Sequence, residues 1–104
     1  DNVQLRNCGG YDHNLCLTGE TAAVLRGDVS GITMTVRTTL PGMQLYAANF
    51  LTERRGKNGA VYMPRAALCL ETQFFPNAMA CEDFEKPILR AGELWREHTA
   101  LIFS

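Results

Sequence analysis

Residues 31–42, GITMTVRTTLPG, decide the fold class. Ile32, Met34 and Val36 alternate with Thr33, Thr35 and Arg37, the two-residue period of a strand with one face buried. Their β-branched side chains suit a pleated surface. The preceding run, TAAVLRGDVSG (21–31), is a shorter apolar stretch ending in Gly27, Asp28, Ser30 and Gly31, residues that build turns. Together the two runs predict an antiparallel hairpin with a loop of a few residues.

The same reading extends in both directions. GYDHNLCL (10–17) follows the Gly9–Gly10 pair, and GMQLYAANF (42–50) follows Pro41. RAALCLETQFF (65–75) and the closing HTALIFS (98–104) supply two further strands. No window holds the i, i+3, i+4, i+7 pattern over two turns with a cap. KPILRAGELWRE (86–97) comes nearest to a helix, but Pro87 and Gly92 predict a turn or irregular segment. Residues 52–65 and 76–87 read as long surface loops. Five to seven strands with turns between them predict an all-β protein, an antiparallel β-sandwich or barrel.

Composition limits the function. A chain of 104 residues has the length of one ordinary domain. The net charge of −1, with both signs mixed along the chain, provides no field to steer nucleic acid or an anionic membrane. No apolar run approaches the roughly 20 residues of a membrane span, and no signal peptide is visible. The chain opens DNVQLR, without Met. Cys8, Cys16, Cys69 and Cys81 form no CxxC pair and lie far in sequence from His13 and His98, so no metal site is expected. Cys16 and Cys69 fall in apolar runs, where a free thiol acts as a small hydrophobe. A reducing, cytoplasmic setting is expected.

Polar residues inside apolar strands are the candidate site. In AALCLETQFFP (66–76), Glu71 is flanked by apolar side chains, and an unpaired carboxylate withdrawn from water is costly. Two accounts fit: a structural ion pair with Arg37 or Arg65, or acid–base chemistry. Alternation places Cys69, Glu71 and Gln73 on one face. The pattern recurs in GYDHNLCL, where Asp12 and Asn14 share a side opposite Tyr11 and His13, and in GMQLYAANF, where Gln44 and Tyr46 share a face. Convergent carboxylates and amides on three strands fit a hydroxyl-rich ligand.

Four motifs, GYDHNLCL, PGMQLYAANFL, LCLETQFFP and ILRAGE before a final TALIF strand, occur in an order that resembles the aldose 1-epimerases, or galactose mutarotases. The resemblance runs across nearly the whole chain and matches only the C-terminal part of that family. It implies a segment, residues 1–104, of a large antiparallel supersandwich that interconverts the α and β anomers of hexoses such as galactose or glucose without cofactor or metal.

The resemblance also implies roles for particular residues. Glu71 of the E-T-Q motif is the general base that takes the anomeric hydroxyl proton. Asp12 and Gln44 bind the sugar. The family's acid histidine lies upstream of the matched motifs, and His13 does not occupy its place. The loop PNAMACEDFEKP (76–87) lacks the histidine that the family often carries there. By itself the chain is expected to be inactive, and to associate with itself or with a complementing N-terminal segment. A noncatalytic carbohydrate-binding or regulatory module on the same fold is the alternative. A phosphosugar mutarotase would need cations such as Arg54, Arg55 and Lys57 to converge.

Overall fold

The computed structural model describes residues 2–104. In chain order it contains a short helix α1 (Val3–Asn7) and eight strands: β1 (Asp12–Cys16), β2 (Thr21–Arg26), β3 (Thr33–Thr38), β4 (Gly42–Tyr46), β5 (Arg54–Arg55), β6 (Val61–Tyr62), β7 (Cys69–Gln73) and β8 (Thr99–Phe103). Two short 3₁₀ turns cover Lys57–Gly59 and Ala78–Ala80. The strands form two three-stranded sheets, ordered β1-β4-β7 and β2-β3-β8, and a two-stranded ribbon β5-β6. The chain divides into two compact units, each built from two separated stretches: Asp1–Leu15 with Gln44–Glu71, and Cys16–Met43 with Thr72–Ser104.

The expected hairpin forms the frame of the second unit. β2 and β3 pair antiparallel, with Leu25 opposite Met34 and Val24 opposite Thr35. Gly31, at φ 71°, takes the left-handed conformation that the turn needs and a side chain would resist. The loop is closed by the Gly27 amide donating to the Ile32 carbonyl at 2.9 Å. A register shift between Thr21 and Ala23 interrupts the pairing near the start of β2. On its other side β3 pairs antiparallel with β8, from Thr38 opposite Thr99 to Met34 opposite Phe103. Central position explains why Val36 is the best-covered strand residue of this sheet, at 1% exposure.

The alternation expected for β3 is seen at its C-terminal end: Val36 and Thr38 are buried and Arg37 is exposed. Thr38, a buried polar group, needs a partner. Its hydroxyl lies 3.0 Å from that of Thr99, which lies 2.8 Å from that of Thr72, and the Leu40 amide donates to Thr38 Oγ1 at 3.2 Å. Three threonines thus satisfy one another in a chain of hydroxyls.

Two parts of the sequence reading change. Residues 3–7 are helical, capped by Asn2, whose Oδ1 accepts from the Gln4 amide at 2.9 Å. A single turn is too short to show a hydrophobic period. Within the 52–65 loop, β5 and β6 pair as a small ribbon, Arg54 opposite Tyr62 and Arg55 opposite Val61. KPILRAGELWRE contains no helix, as Pro87 and Gly92 lead one to expect. Among the described residues no helix is long and apolar enough to cross a membrane.

Candidate functional site

Asp12 begins β1 and Gln44 lies in the middle of β4. Gln44 Nε2 donates to Asp12 Oδ1 at 2.8 Å, and both side chains are partly buried. Two of the three residues expected to form the site are therefore in direct contact. Their hydrogen bond is the contact expected of side chains that project to one side of neighbouring strands. The amide's donor end is directed at the carboxylate, which a charge-assisted hydrogen bond favours.

Glu71 lies on β7, in a sheet whose order sets the Gln44 strand between those of Asp12 and Glu71. Its environment differs from expectation. Glu71 is exposed, as is Cys69 on the same face, whereas Leu70 and Thr72 are partly covered. The physical reason is that burial depends on what covers a face and not on apolar neighbours in sequence: Leu68, just before the strand, is itself 50% exposed. The arginine pairing is not formed either. Arg37 Nη2 donates to Glu20 Oε2 at 2.6 Å, and the Arg65 guanidinium donates to the Gly9 carbonyl.

The Asp12 amide donates to His13 Nδ1 at 3.0 Å, which makes that nitrogen an acceptor, and the Tyr11 and His13 rings meet edge to face at 6.3 Å. His98 is exposed, and its amide donates to Thr39 Oγ1 at 3.0 Å. Arg54 and Arg55 are adjacent on a strand and so project to opposite faces of the ribbon, an arrangement ill suited to gripping one phosphate. All four cysteines are free, and Cys16 and Cys69 are exposed rather than packed in a core. Among the described residues no cluster of His, Cys, Asp and Glu is placed to hold a metal ion.

One contributor was missed by the sequence reading. Asn49, three residues beyond β4, donates from Nδ2 to the Tyr11 carbonyl at 2.8 Å and to the Cys8 carbonyl at 3.4 Å. The Ala47 amide reaches the same Tyr11 carbonyl at 3.0 Å. The segment leading into Asp12 is thus tied to the segment leaving β4. Gly9–Gly10 was the available signal, since paired glycines often mark close backbone approach.

The Aldose 1-epimerase family model matches residues 1–101. Over 100 residues the chain is 42% identical to galactose mutarotases of Mus musculus and Homo sapiens, a match covering 91% of this chain and 29% of each relative. The crystal structure of a GalM/aldose epimerase homologue from C. elegans superposes with a TM-score of 0.79 at 31% identity, covering 90% of this chain and 30% of that one. The chain therefore spans less than a third of the length of these relatives.

Proposed function

This chain belongs to the aldose 1-epimerase family, and from that premise we propose that it is the C-terminal portion of a mutarotase acting on hexoses such as galactose or glucose. The observation that carries this reading is the Asp12–Gln44 hydrogen bond in a sheet that also contains the Glu71 strand. A carboxylate fixed by an amide accepts hydrogen bonds from vicinal hydroxyls, and a second carboxylate on the same sheet can handle a proton.

In the proposed reaction Glu71 removes the proton from the anomeric hydroxyl as the C1–ring oxygen bond breaks. The family's acid histidine, upstream of the matched segment, protonates the ring oxygen. Rotation about C1–C2 then presents the other face of the aldehyde, and closure returns the proton from Glu71 to the new anomeric oxygen. Positioned proton transfer of this kind contributes on the order of 10²–10⁴ in rate. Asp12 and Gln44 hold the sugar by its other hydroxyls. Without the histidine, the isolated chain turns over sugar no faster than buffer.

The exposure of Glu71 favours a second reading, a noncatalytic carbohydrate-binding module on the same fold, because a base gains from a drier setting than this one. Glu71→Gln distinguishes the two. It is placed in a chimera whose residues 1–104 replace the matching segment of mouse galactose mutarotase. Turnover lost with galactose binding retained supports the enzyme; unchanged turnover removes Glu71 from the mechanism and supports the module.

A further inference from the structure

We infer that Asn49 is a positioning residue that sets the aim of the Asp12 carboxylate toward a bound sugar. The inference rests on the reading of Asp12 as a sugar ligand given above.

The local geometry is over-determined. Asn49 Nδ2 bridges the Tyr11 and Cys8 carbonyls, on either side of the Gly9–Gly10 pair. Tyr11 directly precedes Asp12, so a shift of its carbonyl turns the peptide plane on which Asp12 sits. Gly10, at φ 142°, lies so close that a Cβ there would fall 2.2 Å from Asn49 Oδ1. No other residue type fits that backbone conformation and that approach. The arrangement has a cost: Asn49 Oδ1 is buried without a hydrogen-bond partner. A buried unsatisfied acceptor is unfavourable, and rotating the amide would relieve nothing, because it would set that oxygen against two carbonyls. The amide keeps its donor toward the Asp12 segment at the expense of its acceptor.

The same segment is also held by Arg65. Its guanidinium donates to the Gly9 carbonyl, and its amide donates to the Ala48 carbonyl at 3.1 Å. Ala48 is buried, with φ 49°, in the left-handed region. That backbone bend turns Asn49 back toward Tyr11. A left-handed alanine, an orphaned acceptor and two clamps therefore bear on the residues just before Asp12, and Gln44 then fixes the carboxylate itself. Sites that break local rules in this way are commonly functional.

The test is a double-mutant cycle in the mouse chimera, read by galactose calorimetry and by kcat and KM. Asn49→Ala is expected to weaken galactose binding and raise KM about 3- to 10-fold, with kcat within about twofold. Asp12→Ala is expected to weaken binding about tenfold or more. If Asn49 acts through Asp12, the double variant binds no worse than Asp12→Ala alone. Full additivity of the two effects, or unchanged binding in Asn49→Ala, overturns the inference. Asn49→Asp, of equal size but without the donor, carries the same expectation should the alanine variant fail to fold. The Glu71→Gln outcome is independent of this cycle: loss of the catalytic reading with coupling intact leaves Asn49 positioning a sugar-binding aspartate.

Discussion

Gln44 donates to Asp12 across 2.8 Å, joining the middle of β4 to the start of β1. The bond divides labour on the carboxylate. One oxygen accepts from the amide, which restrains the rotamer, and on the proposed reading the remaining acceptor capacity serves a sugar hydroxyl. A neutral amide performs this task better than a cation, because it orients the carboxylate without neutralising it.

Removing that amide should therefore loosen Asp12 more than it unfolds the protein. Gln44→Leu is expected to weaken galactose binding in the chimera by about 10- to 100-fold, in line with roughly 1.5–3 kcal/mol for a hydrogen bond to a charged group. Gln44→Glu should be worse, since two carboxylates at this separation repel. Titration calorimetry on both variants checks the order. Equal affinities for Leu and Glu would mean that the contact does not position the carboxylate.

The strands that carry these residues were legible because a two-residue period is a local property, visible in a dozen letters. The hairpin of β2 and β3 and the strands that carry Asp12 and Gln44 follow from it. Exposure was not legible for Glu71, because alternation assigns a face but not what lies over it, and even the neighbouring Leu68 is exposed. Helix α1 and the β5-β6 ribbon were too short to carry a period. Asn49 was hidden for a third reason: its partners are backbone carbonyls some 40 positions away, which no pattern of side chains records.

Stability should depend on few residues. Met43 and Val36 are the largest fully buried side chains among those described. Met43→Ala should destabilise the chain by about 2–5 kcal/mol, enough to unfold a domain of ordinary marginal stability. Val29, fully exposed at the hairpin turn, provides the contrast: Val29→Ala should change stability by less than about 0.5 kcal/mol. Urea unfolding followed by circular dichroism reads both, and similar midpoints for the two variants would place the core elsewhere.

The Arg37–Glu20 pair should add little despite its 2.6 Å separation. Both side chains are about half exposed or more, so water and salt screen the attraction and two long side chains lose freedom. Glu20→Gln is expected to cost less than about 1 kcal/mol, with the loss shrinking further in high salt. A larger loss that persists in 1 M salt would contradict this.

Thr99 sits between two hydroxyls, those of Thr38 and Thr72. Thr99→Val keeps the shape and removes both bonds, leaving Thr38, at 2% exposure, with the Leu40 amide but no hydroxyl partner. A loss of about 1–3 kcal/mol is expected. Thr38→Val combined with Thr99→Val should recover part of it, because an apolar pair avoids the unsatisfied group. No recovery in the double variant would show that the hydroxyl chain is not what satisfies Thr38.

The edge of the β2-β3-β8 sheet carries the last expectation. β8 pairs with β3 on one side, and its residues Leu101, Ile102 and Phe103 are 57%, 48% and 63% exposed. Three consecutive apolar residues on an edge strand offer both unpaired backbone groups and apolar faces to another chain. Ile102 shares its face with Val24, itself 63% exposed, across Thr35, so this side of the sheet presents two exposed apolar side chains in one row. We therefore expect the isolated 104-residue chain to self-associate at micromolar concentration in sedimentation velocity. Ile102→Lys should shift it toward monomer by placing a charge in that row, and a supplied N-terminal segment of mouse galactose mutarotase should compete with self-association. A chain that stays monomeric at high concentration would show that the exposed β8 edge does not recruit a partner, and would remove this edge as the complementation surface.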